Sequence, residues 1–165
     1  MKRLLRFAIF GLLFSCGATV FAQKPDFNGS WTMDRARSFG IPANMNQTMV
    51  VTQTAAEIIV ETKLIQPGNE RTAKDTYVLD GKEYEYTPQV PAGQPVPKAK
   101  RTAAWMPGGT GLLVTEVITA ETPKGPAITQ NVHKWTITNG ELVIARFVDT
   151  PTASFEAKRI FKKNP

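Results

Sequence analysis

Ala127-Ile128-Thr129-Gln130-Asn131-Val132-His133-Lys134-Trp135-Thr136-Ile137-Thr138, followed by Asn139-Gly140 and then Glu141-Leu142-Val143-Ile144-Ala145-Arg146-Phe147-Val148-Asp149, is the stretch that decides the fold. Both flanks alternate with a period of two, as a half-buried strand does and a helix does not. Asn-Gly between them suits both left-handed positions of a type I′ turn, so the two runs form a hairpin with a two-residue loop. That turn sets the register by counting. Ile137 faces Leu142, Trp135 faces Ile144, His133 faces Arg146 and Asn131 faces Val148 on one side; Thr136 faces Val143, Lys134 faces Ala145 and Val132 faces Phe147 on the other.

The same grammar runs through the chain from Asn28 onward. Candidate strands cover 28–34, 47–53, 57–66, 71–79, 82–86, 98–106, 112–121, 127–138, 141–149 and 154–162, punctuated by glycine, proline and Asn-Gly or Asp-Gly pairs. Asp80-Gly81 reads as a second tight hairpin, which places Leu79 opposite Lys82 and Tyr77 opposite Tyr84. Tight turns between long strands make sequence neighbours spatial neighbours. The fold class is therefore all-β, an antiparallel up-and-down meander closed into an 8–10-stranded barrel, with a two-sheet β-sandwich as second choice. Between Thr87 and Lys98 four prolines (Pro88, Pro91, Pro95, Pro97) form a stiff loop that cannot be a central strand. It either flanks the barrel mouth or serves as a surface connector.

At 165 residues, with 42% hydrophobic and 21% charged positions, the chain has the composition of one globular domain. Its first 22 residues read differently. Met1 to Arg6 is basic, Phe7 to Phe14 is an apolar run shorter than the roughly 20 residues of a membrane span, and Val20-Phe21-Ala22 offers a signal-peptidase site. The reading is a secretory signal over 1–22 and a single domain over 23–165, placed in the periplasm or outside the cell. Cys16, after Leu13-Phe14-Ser15, offers the alternative of a lipoprotein anchored to a membrane at that residue. Lys2, Arg3 and Arg6 are the leader's only charges, so its removal lowers the formal charge from +6 to +3. With one cysteine in the whole chain, the mature domain has no disulfide and depends on its core.

The mature chain opens Phe27-Asn28-Gly29-Ser30-Trp31-Thr32-Met33-Asp34, and Gly29-x-Trp31 on a first strand resembles the entry motif of the lipocalins and the wider calycin group. The longer run to Ser38 resembles the opening of small secreted bacterial proteins of lipocalin-like type. The resemblance implies a calycin-like barrel in which Gly29, Trp31 and a cation from the last strand seal the closed end. Arg159 or Lys158 supplies that cation, and parity with Phe155, Ala157 and Phe161 favours Arg159. Intracellular fatty-acid carriers of the same group hold a carboxylate with Arg-x-Tyr on the last strand, whereas this chain has Arg159-Ile160-Phe161.

Catalytic machinery is thin in the mature chain. It has one histidine and three serines (Ser30, Ser38, Ser154), none in a nucleophile elbow, and no spacing of histidines or carboxylates suited to a metal. Pro107-Gly108-Gly109-Thr110-Gly111 lies between two strands and reads as a turn rather than a phosphate loop. Neither enzyme activity, a cofactor nor a metal is expected. A nucleic-acid partner is not expected either, because Glu141 and Glu156 interrupt the basic C-terminal patch.

Charged residues in phase with apolar ones carry more information. Glu116 shares a face with Leu112, Val114 and Ile118, and Arg101 with Ala99, Ala103 and Trp105. His133 and Arg146 meet just beyond the quartet Trp135, Ile137, Leu142 and Ile144. Turned inward, that face gives an interior apolar at one end and polar toward the other, and His133, Arg146, Arg159, Glu116 and Trp135 become the candidate ligand-binding residues. Equally, an interior arginine and glutamate can pair with each other and need no ligand. The expected function is an extracytoplasmic protein that sequesters or carries a small hydrophobic or amphipathic ligand. The alternative is a filled-core, non-catalytic envelope module acting on a protein partner or as an enzyme inhibitor.

Overall fold

A computed structural model of the chain describes residues 23–90 and 93–165; the leader, with Cys16 and both processing readings, lies outside the described residues. Ten antiparallel strands form one continuous sheet: β1 (Gly29–Met33), β2 (Asn46–Gln53), β3 (Glu57–Gln66), β4 (Asn69–Val78), β5 (Tyr84–Glu85), β6 (Lys98–Trp105), β7 (Leu112–Thr122), β8 (Gly125–Thr138), β9 (Glu141–Asp149) and β10 (Ser154–Lys163). The order across the sheet is β4-β3-β2-β1-β10-β9-β8-β7-β6-β5. The meander curls on itself because the first and last strands pair, with Trp31 opposite Lys163 and Met33 opposite Phe161. One sheet carries the whole core, so the sandwich is not formed.

The β8–β9 hairpin has the register counted from its turn, from Thr138 opposite Glu141 to Asn131 opposite Val148. Asn139 and Gly140 both have positive φ, 53° and 78°, as a type I′ turn requires. Along both strands the face holding Trp135, Leu142, Ile144 and Val148 is buried.

The Asp80-Gly81 hairpin does not form. β4 pairs with β3 and β5 pairs with β6, so Tyr77 is not opposite Tyr84, nor is Leu79 opposite Lys82. Three hydrogen bonds explain the difference. Asp80 turns its carboxylate back onto the Lys82 amide (2.9 Å) and the Tyr84 hydroxyl (2.8 Å), while the Gly81 amide donates to the carbonyl of Ala103 on β6 (3.1 Å). The chain thus leaves β4, crosses to β6 and adds a two-residue edge strand there, which leaves the sheet's two ends without a backbone ladder between them.

The lower end is sealed by aromatic rings. Phe27 is fully buried, stacks on Trp105 at 6.0 Å between centroids and meets the edge of Trp135 at 5.9 Å. Its carbonyl accepts the Trp31 indole N–H (2.9 Å), and its own amide donates to Gln53 Oε1 (2.9 Å), so the segment before β1 is built into the core. The cation over Trp31 is Lys163, whose Nζ lies 5.5 Å from the ring centroid. It is neither Arg159 nor Lys158. Arg159 shares the inward parity of Lys163 but stands four residues higher on β10, opposite Ile144, beyond reach of Trp31. Lys158 points outward and its backbone pairs with Phe39. Gly29 has φ +130°, a conformation open to glycine, and the Lys163 stem crosses directly over it on the way to Trp31.

Candidate ligand-binding site

Above the aromatic floor the curled sheet lines a cavity of about 320 Å³ that opens to solvent. Its floor includes Trp135 and Ile144, its middle carries His133, Arg146, Arg159, Glu116, Asn131 and Arg101, and its rim includes Thr87, Pro88 and Gln89. The start of the proline loop therefore flanks the mouth, where Gln89 Nε2 donates to the Thr72 carbonyl on β4 (3.2 Å). All five candidate residues read from the sequence line this one cavity.

Two charge systems line the cavity on either side of β8. On β6, Arg101 donates from Nε to Glu116 Oε1 (2.9 Å), and its Nη2 lies 2.7 Å from the same oxygen and 2.9 Å from Asp75 Oδ1. Its guanidinium stacks between the rings of Tyr77 (4.5 Å) and Tyr86 (3.9 Å). Asn131 Nδ2 donates to the other oxygen of Glu116 (3.3 Å). Burial alone raises the Glu116 carboxyl, but the pull of His133 and Arg101 and the hydrogen bonds from Arg101 and Asn131 hold it below the usual carboxylate range. Arg101 and Glu116 thus realise the internally paired arrangement. Burial pushes the Tyr86 phenol up to about 12.

Arg146 on β9 and Arg159 on β10 form the other system, and neither has a carboxylate partner among the described residues. They are diagonal neighbours on one inward face, since Arg146 stands opposite Ala157 and Arg159 opposite Ile144. Arg159 Nη1 donates to Gln47 Oε1 (2.9 Å), whereas the buried Nε of Arg146 has no acceptor among the described residues. Burial, then the charge of Arg146, brings Arg159 down to about 10, which still leaves it cationic at neutral pH. His133 lies between the two systems, with Nε2 3.8 Å from Glu116 Oε2, beyond hydrogen-bond reach. Burial pushes it down to about 4, with Arg146, Arg159 and Arg101 acting against the pull of Glu116.

No family model matches the chain, and no curated protein matches its sequence. Among solved structures it is similar to the zebrafish ileal bile acid-binding protein complexed with cholic acid, at 17% identity and a TM-score of 0.54, over 84% of this chain and 98% of that one. The fold is calycin-like. A fatty-acid-binding protein from Manduca sexta aligns over 83% of this chain and 99% of its own at 14% identity, with a TM-score of 0.44.

Within this calycin-like barrel, several site residues escaped the sequence reading. Asn131 appeared there only as a register partner of Val148; Asp75, Gln47, Tyr77 and Tyr86 carried no site role. Each lies on the inward parity of its strand or strand end, so the available signal was a polar residue in phase with apolar neighbours: Gln47 with Met49 and Val51, and Asn131 with Trp135. For Asp75 that signal was hidden, because β4 alternates among exposed and half-buried positions until Tyr77.

Proposed function

We propose that this chain is an extracytoplasmic carrier that sequesters a small amphipathic anion inside its barrel. The observation that carries the reading is the pair Arg146 and Arg159, two guanidinium groups lining the cavity without a carboxylate partner among the described residues. A carboxylate, sulfonate or phosphate ester supplies the missing charge and the acceptor that Arg146 Nε lacks. Trp135, Ile144, Met49, Val60 and Leu64 offer the apolar surface for the remainder of the molecule. The zebrafish protein of similar fold is a bile acid-binding protein complexed with cholic acid, itself an amphipathic anion. Export is supported by the basic leader and apolar run of residues 1–22, with release after Ala22 or anchoring through Cys16.

Native mass spectrometry of the chain isolated from its own host, followed by organic extraction, tests both parts. The expected result is a chain beginning at Gln23 that carries one small anionic molecule per protein, with that occupancy lost in Arg146→Gln and Arg159→Gln. A clean apo mass with no uptake from an extract of the host's lipids overturns the carrier reading and favours a protein-binding module.

A further inference from the structure

The cavity holds a third set of polar atoms. Asn131 Oδ1, His133 Nε2, Trp135 Nε1 and Arg146 Nε are all buried, and none has a hydrogen-bond partner among the described residues. They lie on the facing strands β8 and β9, on the one inward face that also carries Ile144. Asn131 is 3% exposed, and its amide orientation is fixed because Nδ2 is committed to Glu116. Its Oδ1 is therefore a buried acceptor that requires a donor, which no carboxylate or sulfonate can provide. His133 Nε2 faces the Glu116 carboxylate at 3.8 Å, so the neutral tautomer that carries its proton on Nε2 is the favoured one there. An oxygen placed off the line between them reaches both, accepting from the imidazole and donating to a carboxylate or amide oxygen. A hydroxyl does both at once.

The charge count narrows the ligand further. Arg101, Arg146 and Arg159 face Asp75 and Glu116 around the cavity, leaving one positive charge in excess. The volume is also small, about 320 Å³, at the lower end of the roughly 300–1,000 Å³ of ligand pockets.

We infer that the ligand is a compact monoanion that also carries a hydroxyl, with the acid group held by Arg146 and Arg159 and the hydroxyl held by Asn131, His133 and Glu116. This rests on the carrier reading and adds to it a second polar point of recognition. A site built to hydrogen-bond a hydroxyl discriminates strongly against the analogue lacking it, since buried polar groups are then left unpaired.

The test is calorimetric titration of the delipidated mature chain with decanoate and with a positional series of monohydroxydecanoates. The inference expects the best hydroxy acid to bind at least about tenfold more tightly than decanoate, one good hydrogen-bonded contact. In Asn131→Leu that ratio should fall toward one, and Asn131→Ala, which likewise has no side-chain acceptor, provides a second variant if the first does not fold. Equal binding of decanoate and every hydroxy acid overturns the hydroxyl inference while leaving the carrier reading intact. Failure of all of them, together with an apo native mass, overturns both.

Discussion

Arg101 of β6 and Asp75 of β4 meet at 2.9 Å across the seam where the two ends of the sheet face each other without a backbone ladder. Elsewhere the barrel wall is held by strand pairing; here a side-chain bridge joins the two ends, with the guanidinium over the rings of Tyr77 and Tyr86. The arrangement follows from Asp80-Gly81, which sends the chain to β6 rather than back along β4.

The two carboxylates on Arg101 should differ in weight. Glu116 is buried, so Glu116→Gln leaves a buried guanidinium short of charge and should cost about 3 kcal/mol or more. The Asp75 side chain is 35% exposed and Glu116 remains beside Arg101 in its absence, so Asp75→Asn should cost about 1 kcal/mol or less. Denaturant unfolding measures both. Asp75→Asn should also speed hydrogen exchange in β4 relative to β8.

Stability should fall as pH drops from 6.5 to about 4. His133 is ordinarily near 6.5 and is held at about 4 in the fold, so the unfolded chain takes up its proton first and is favoured throughout that window. The full loss amounts to about 3 kcal/mol, and it is absent above pH 6.5, where both states are neutral at this residue. NMR titration of the single histidine and unfolding measured against pH check the two halves of the claim. His133→Gln should flatten the profile in this window.

Phe27→Ala should destabilise the domain by about 3–5 kcal/mol, because it removes a fully buried ring from between Trp105 and Trp135. A chain starting at Asn28 should behave likewise. Thermal unfolding of both is the measurement.

Arg146→Met should move stability and binding in opposite directions. Removing a guanidinium whose buried Nε has no protein partner, and which repels Arg159, should stabilise the free protein by about 1 kcal/mol. The same change should weaken uptake of an anionic amphiphile at least about tenfold. A purely structural arginine would lose stability on substitution. Melting temperature with and without decanoate separates the two.

Most of the barrel was legible in the residues themselves. Period-two alternation and the Asn139-Gly140 turn fixed the all-β class, the register of β8 on β9 and the inward face that gathers His133, Arg146 and Trp135, because a tight turn of known geometry propagates residue by residue along both strands. Where a turn had a competing partner, counting failed. Asp80-Gly81 has the composition of a hairpin, but its amide found Ala103, a carbonyl from a strand about 20 residues away, and its carboxylate found Lys82 and Tyr84. Parity favoured Arg159 over Lys158 as the cation on Trp31, yet the stagger of β1 against β10 brings Lys163, one residue beyond the expected last strand, over that ring instead. The pairing of Arg101 with Asp75, and the isolation of Arg146 and Arg159 from any carboxylate among the described residues, likewise belong to the curled sheet as a whole. Alternation along a strand is local and can be read from the chain. Which charges meet across an interior depends on curvature and stagger, and those arise only when ten strands close together.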